Sequence, residues 1–191
     1  MDVSKLTSPF KGEKVQLRAL EMEDLEKILE HWNTFETRIF LNTVIPMSRM
    51  MEKEFINHAH ESAKKGTAYI FAIENLETKE FLGTCSLEDI NNISRSAVLG
   101  IAIHNPENHN KGYGTDTMKC LLKIGFEVLN LHRIELWVMD FNQRGVHVYE
   151  KVGFKQIGRK REAHFVNSAY HDLIVMDILK REYEEKRRKH D

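Results

Sequence analysis

The sequence predicts a mixed α/β (α+β) fold, a mostly antiparallel central sheet with helices on both faces. Three observations lead there. Segments of period-2 and period-3.6 hydrophobicity follow one another in the order β-α-α-β-β-β-α-β-α-β-β. The three central strand-like runs are separated by turn-prone segments short enough for hairpins, which makes an antiparallel meander the economical topology. No internal repeat, low-complexity block or Pro/Gly/Ser-rich linker divides the 191 residues, so the elements share one core. The expectation is a single domain over residues 1–191, with its core over about 14–180 and a charged C-terminal helix over 181–191.

The elements follow in order. In Lys14–Leu20, Val15, Leu17 and Ala19 alternate with polar residues, as in a half-buried strand. The next segment, about Met22–Trp32, repeats Leu25, Ile28, Leu29 and Trp32 at helical spacing, and acidic Glu21, Glu23 and Asp24 suit its N-terminal dipole. A second helix starts at Ser48, an N-cap residue, buries Met51, Phe55 and Ala59, and stops near Gly66. Strands follow at Ala68–Ile73, Phe81–Leu87 and Ala97–Ile103. Thr115–Asn130 is helical, with Met118, Leu121, Leu122, Phe126 and Leu129 on one stripe. After it come a strand at Arg133–Val138, a helix at Gln143–Val152, strands at Phe154–Ile157 and Tyr170–Leu179, and a charged helix from about Lys180. The strand before Gly112 and the strand at Arg133 are joined through a helix, so they are expected to be parallel neighbours with a right-handed crossover.

Composition excludes several classes of function. The chain is 41% hydrophobic and 30% charged with only 3 prolines, which is the profile of a soluble globule. Its net charge of −1 provides no global field toward nucleic acid or an anionic membrane. The C-terminal KREYEEKRRKH interleaves acids with bases, as a solvated helix does, so no nucleic-acid partner is expected. Cys85 and Cys120 lack a CxxC spacing and read as reduced, packed thiols. Met1–Lys14 has no apolar signal stretch and no long apolar run occurs elsewhere, so the expected location is cytoplasmic, with no membrane partner. Ten histidines raise the question of a metal, but His58 and His60 point to different helix faces and no HExxH or Cys/His cluster occurs, so none is expected. A homodimer is compatible with the sequence, which does not specify oligomeric state.

The chemistry concentrates at His109–Thr115, HNKGYGT, shortly after a strand and directly before a helix. Gly112 and Gly114 let the backbone turn tightly and approach a bulky anion, and the helix beginning near Thr115 adds free N–H groups and a positive dipole end. A pyrophosphate fits this pattern. Lys111 precedes Gly112 and no lysine follows in Tyr113–Asp116, which excludes a Walker loop; the third glycine and N-terminal βαβ unit of a Rossmann fingerprint are absent. Taken alone, GYG could equally be a plain strand-to-helix turn.

Thirty residues on, Met139–Phe154 reads MDFNQRGVHVYEKVGF, with Asn142 in a loop, Tyr149 on a helix and a Gly153-Phe154 turn. The two segments together resemble the GNAT superfamily of acetyl-CoA-dependent N-acetyltransferases. The family's phosphate motif, Q/R-x-x-G-x-G/A, is matched by Gly112 and Gly114, with His109 standing where Gln or Arg is usual. The later N-x-x-A-x-x-x-Y-x-x-x-G-F pattern is matched by Asn142, Tyr149, Gly153 and Phe154, with Gly145 in place of alanine. VQLRALEMEDLEKI and REAHFVNSAYHDLIVMDIL extend the likeness to the branch containing ribosomal-protein N-terminal and spermidine acetyltransferases. It thins between Thr34 and Ala63.

The resemblance implies a splay between two parallel central strands that receives the pantetheine arm of acetyl-CoA, the cosubstrate. Ile101 and Ile103 would offer backbone groups to the arm, and the N–H groups of Asn110, Lys111, Gly112, Tyr113, Gly114 and Thr115 would hold the pyrophosphate beside His109. Asn142 would contact the cofactor from the other side, and Tyr149 would give its hydroxyl to the departing sulfur, which suits a donor of pKa near 10 facing a thiolate of about 8.5. Tyr149 as a plain core aromatic is the competing reading. The acceptor is expected to be a protein N-terminal amine, or alternatively a polyamine or other small amine, attacking the thioester directly. Many relatives carry a glutamate in an AELG-like strand where this chain has Val98, so the usual base is missing. Glu88 and Asp89, at the end of the preceding strand, are the substitutes; solvated turn residues are the other reading, and His104 and His109 also flank the loop. A non-catalytic acyl-CoA-binding module is the rival from another class.

Overall fold

The computed structural model describes residues 7–41 and 44–189. Met1–Leu6 and the last two residues of the expected C-terminal helix, His190 and Asp191, lie outside the described residues. One seven-stranded sheet organises the chain, in the order β1-β2-β3-β4-β5-β7-β6. The strands are β1 (Val15–Ala19), β2 (Tyr69–Asn75), β3 (Phe81–Asn91), β4 (Ser96–Ile103), β5 (Arg133–Met139), β6 (Lys155–Val166) and β7 (Ala169–Leu179). Every neighbouring pair is antiparallel except β4–β5, the pair joined through a helix.

Helices cover both faces, as the mixed pattern predicts. On one side lie α1 (Leu25–Trp32), a short α2 (Phe35–Arg38) and α3 (Arg49–Lys65), over a small core of Leu20, Leu25, Ile28, Ile56, Ala59 and Ala72. The other side carries α4 (Tyr113–Lys123), α5 (Gln143–Val152) and α6 (Lys180–Arg188), over a larger core that includes Leu87, Leu99, Met118, Leu121, Phe126, Ile134, Leu136 and Met176. Truncating a fully enclosed side chain there, such as Leu121, to alanine costs about 2–5 kcal/mol.

Several boundaries differ from the sequence expectation, each for a local reason. In α3 the Ser48 hydroxyl does accept from the Met51 amide, and Gly66 ends the helix at φ 67°, but Met51 itself faces solvent. The buried stripe is Glu52, Ile56, Ala59 and Ser62, because a carboxylate takes the inward place that hydrophobicity alone assigned to Met51. The expected Thr115–Asn130 helix is α4 continued by a π-turn at Ile124–Val128; the wider turn keeps both Ile124 and Phe126 in the core. β6 is much longer than Phe154–Ile157. It pairs with β7 through a two-residue turn at Asn167 (φ 51°) and Ser168 (φ 60°), and two register shifts plus a charged GRKRE run break the alternation that would have revealed it. β3 also runs past Leu87 to Asn91, so Glu88 and Asp89 are strand residues, though both are exposed and Asp89 (φ 49°) lies in an irregular stretch of the strand.

For function, the decisive feature is where β4 and β5 part. They pair only at Ser96–Arg133, Ala97–Ile134 and Val98–Glu135. Beyond Val98, Leu99–Ile103 stay registered with β3, while Leu136–Met139 continue with β7. A wedge opens in the middle of the sheet.

Candidate active site

Strand register decides which groups face the wedge. The His104 amide donates to the Leu82 carbonyl (2.9 Å), and Gly83 lies opposite Ile103, so even-numbered peptide groups of β4 point to β3. The peptide groups of Ile101 and Ile103 and the Leu99 carbonyl therefore point into the gap, the Leu99 N–H being used in the last β4–β5 rung at Glu135, and they form an unsatisfied edge of the kind an extended ligand can pair with. One carbonyl is already taken: the His109 Nε2–H donates to the Ile103 oxygen at 3.0 Å. Ile103 thus keeps only its N–H for a ligand, fewer groups than the sequence reading gave it.

At one end of the gap lies the glycine-containing loop. Asn110 (φ 61°) and Gly112 (φ 89°) adopt left-handed conformations, and the amides from Asn110 through Thr115 make no hydrogen bond among the described residues. Such a concave run of N–H groups at the start of α4 is an anion cradle. At Gly114 an added Cβ would enter open space, the volume a bound phosphate would need. Buried Asp116 anchors the cradle from behind by accepting from the amides of Glu13 (3.2 Å), Lys14 (2.7 Å) and Val15 (3.0 Å), which ties the start of β1 to the start of α4. The Asn142 side chain caps α5 by accepting from the Gly145 amide at 3.0 Å. An added Cβ at Gly145 would lie 2.8 Å from the Asn142 amide nitrogen, so a larger residue there would have to shift this cap.

A cavity of about 750 Å³ passes from this loop through the wedge to the α1–α3 side of the sheet. Its lining brings together Glu88, Ile101, Ile103, His109, Asn110, Gly112, Tyr113, Gly114, Thr115, Asn142 and Tyr149. Lys111 is not part of it, its ammonium being turned to Asn108 Oδ1 at 3.2 Å. Asp89 is also absent from the lining. The Tyr149 hydroxyl has no hydrogen-bond partner among the described residues, and burial pushes its pKa up to about 12, so it holds its proton at neutral pH. Glu88 lies directly across from Val98, and its Oε1 accepts from the Ser86 hydroxyl at 2.5 Å. The carboxylate missing at position 98 is therefore present one strand away, on the same face.

The other flanking groups are less suited to proton transfer. His104 is packed against Trp32 (4.5 Å between ring centroids) and Phe81, and burial lowers its pKa to about 3. His104 also lies outside the lining of the cavity, whereas Glu88 is part of it. Burial pushes the Cys85 thiol well up and that of Cys120 to about 12, so both stay protonated.

Sequence reasoning missed the far end of the cavity, formed by Trp32, Glu36, Arg38, Glu52 and Phe55. Glu52 is only 2% exposed; burial raises its pKa, Arg38 opposes that, and the Trp32 indole N–H donates to it. Its Oε1 has no hydrogen-bond partner among the described residues. Arg144 and Lys151, on α5, also line the cavity. Arg144 could have been noticed, since a cation in the first turn of a helix opposes the dipole and calls for an anion.

Residues 14–155 match the acetyltransferase (GNAT) domain family. The chain is 33% identical over 172 residues to spermidine N(1)-acetyltransferase of Vibrio cholerae, covering 89% of this chain and 95% of that protein. Over 102 residues it is 33% identical to a Bacillus subtilis protein provisionally named ribosomal N-acetyltransferase YdaF, covering 53% of this chain and 55% of that one. The crystal structure of spermidine N-acetyltransferase from Vibrio cholerae in complex with CoA and spermine superposes with a TM-score of 0.81 at 32% identity, over 89% of this chain and 98% of that one. Together with the wedge between β4 and β5 and the amide cradle at its end, this shows that the chain belongs to the GNAT family of N-acetyltransferases, whose cosubstrate is acetyl-CoA.

Proposed function

We propose that the chain acetylates a primary amine of a small polycation of the polyamine class. The observation that carries this reading is the charge distribution along one cavity. Glu36, Glu52 and Glu88 line its α1–α3 side, while Arg144, Lys151 and the free amides line the loop side. Arg38 offsets part of the acidic end and leaves it net negative, which suits a ligand with several ammonium groups better than the single charge of a peptide N-terminus. The spermidine acetyltransferase relatives support the same choice, so the small-amine alternative now takes precedence over the protein N-terminal acceptor.

Acetyl-CoA supplies the acyl thioester; the chain's own residues handle position and protons. Amides from Asn110 to Thr115 bind the diphosphate, and the groups of β4 that remain free, the Leu99 carbonyl, the Ile101 peptide groups and the Ile103 N–H, align the arm in the wedge. An alkylamine of pKa about 10.4 is neutral in only about one molecule in 2,500 at pH 7. Glu88, held by Ser86, takes up the proton that the attacking ammonium must lose. Tyr149, which keeps its own proton, gives a hydrogen bond or that proton to the sulfur as it leaves.

The experiment is thiol release from acetyl-CoA across spermidine, spermine, putrescine and peptides with free N-termini. A kcat/KM for the polyamines at least tenfold above that for any peptide supports the proposal. A preference for peptides overturns the acceptor class, and acetyl-CoA binding without turnover on every amine favours a non-catalytic module.

A further inference from the structure

His109 occupies the motif position where the family usually has Gln or Arg, and both of its ring nitrogens are engaged. Arg144 Nη1 lies 2.6 Å from Nδ1, and Nε2 lies 3.0 Å from the Ile103 carbonyl oxygen. A guanidinium can only donate and a carbonyl can only accept, so Nδ1 carries the lone pair and Nε2 the proton. The ring is therefore neutral. Burial lowers its pKa and the neighbouring Arg144 lowers it further, against the Ile103 hydrogen bond.

Arg144 sits in the first turn of α5, two residues after the Asn142 cap, where the helix dipole disfavours a cation. Among the described residues no carboxylate pairs with it. It lines the cavity together with Asn110 and Gly112. A cation held by a neutral acceptor, at the wrong end of a helix and beside free amides, calls for an anionic ligand.

We propose that His109 is a positioning residue, a neutral strut that suspends Arg144 from the open edge of β4 so that its guanidinium meets a phosphate of the bound cofactor. This rests on acetyl-CoA binding at the Asn110–Thr115 loop. A glutamine could do the same work, its NH₂ donating to the Ile103 carbonyl and its Oε1 accepting from Arg144. Alanine could do neither.

The test is acetyl-CoA affinity by isothermal titration on the full chain, with melting curves to verify folding. His109→Ala is expected to weaken binding about tenfold, the scale of one charge-assisted contact, with kcat at saturating acetyl-CoA within about twofold. His109→Gln restores binding to within about twofold of the unaltered chain. Arg144→Ala, at an exposed position, loses about as much as His109→Ala, and the double variant loses no more than Arg144→Ala alone. A glutamine variant as weak as alanine, or additive losses near a hundredfold, would overturn the strut. If the unaltered chain fails to bind acetyl-CoA, the cofactor assignment falls and the strut with it; uncoupled variants of a chain that binds normally sink the strut alone.

Discussion

The two ends of the cavity are built from different materials. At the loop end the cavity meets mainly backbone: the amides of Asn110–Thr115 and the unpaired edge of β4, held in place by strand register and by Asp116. At the α1–α3 end it meets side chains, namely Glu36, Glu52, Trp32 and Phe55 on helices, with Glu88 reaching over from β3. Backbone recognition depends on conformation and survives most substitutions, whereas side-chain recognition can be changed one residue at a time. One end can therefore be common to a family while the other selects the acceptor.

Substitutions should separate the two ends. The largest expected effect falls between them. Tyr149→Phe lowers kcat by about 10²-fold or more, while the acetyl-CoA dissociation constant stays within about twofold; an unchanged rate would return Tyr149 to a packing role. At the backbone end, Gly114→Val places a branched side chain in the space next to the free amides and weakens acetyl-CoA binding by about a hundredfold, with a smaller change in acceptor KM. Equal losses for both ligands would mean that the ends are not separable. At the side-chain end, Glu52→Gln keeps the shape and removes the charge. It raises the spermidine KM about tenfold and leaves acetyl-CoA affinity unaltered, as steady-state kinetics can show.

A smaller effect concerns what supports the side-chain end. His104 packs against Trp32 and is neutral when folded, with a pKa of about 3 against 6.5 when unfolded. The unfolded chain thus binds the proton more readily. The contribution of this group is complete above pH 6.5 and is lost as pH falls toward 3, by roughly 1 kcal/mol for each pH unit. Urea unfolding at pH 7, 6 and 5 should show a shallower slope for His104→Phe than for the unaltered chain.

The same division governs how much could be read in the sequence. Gly112 and Gly114 were legible because a tight turn ahead of a helix requires glycine, whereas Asn142 and Tyr149 were singled out only through the family resemblance, and the N-cap role of Asn142 came from the structure. The parallel pair β4–β5 followed from the intervening helix. Glu52 was not legible, since a carboxylate in a charged helix looks like a solvated residue until tertiary packing turns it inward. Glu88 was found only as a candidate, because its place opposite Val98 depends on a register that hydrophobic alternation does not number. The long β6 escaped notice because an edge strand carrying charges and bulges lacks a period-2 signal.

The wedge itself can be tested by residue-resolved amide hydrogen exchange with and without acetyl-CoA. New protection is expected at Ile101 and Ile103 and across Asn110–Thr115, with none added at Leu99, whose amide already bonds β5, or at Gly100 and Ala102, whose amides already face β3. Protection that ignores this odd–even parity, or that bypasses β4 altogether, would contradict the placement of the cofactor between the parting strands.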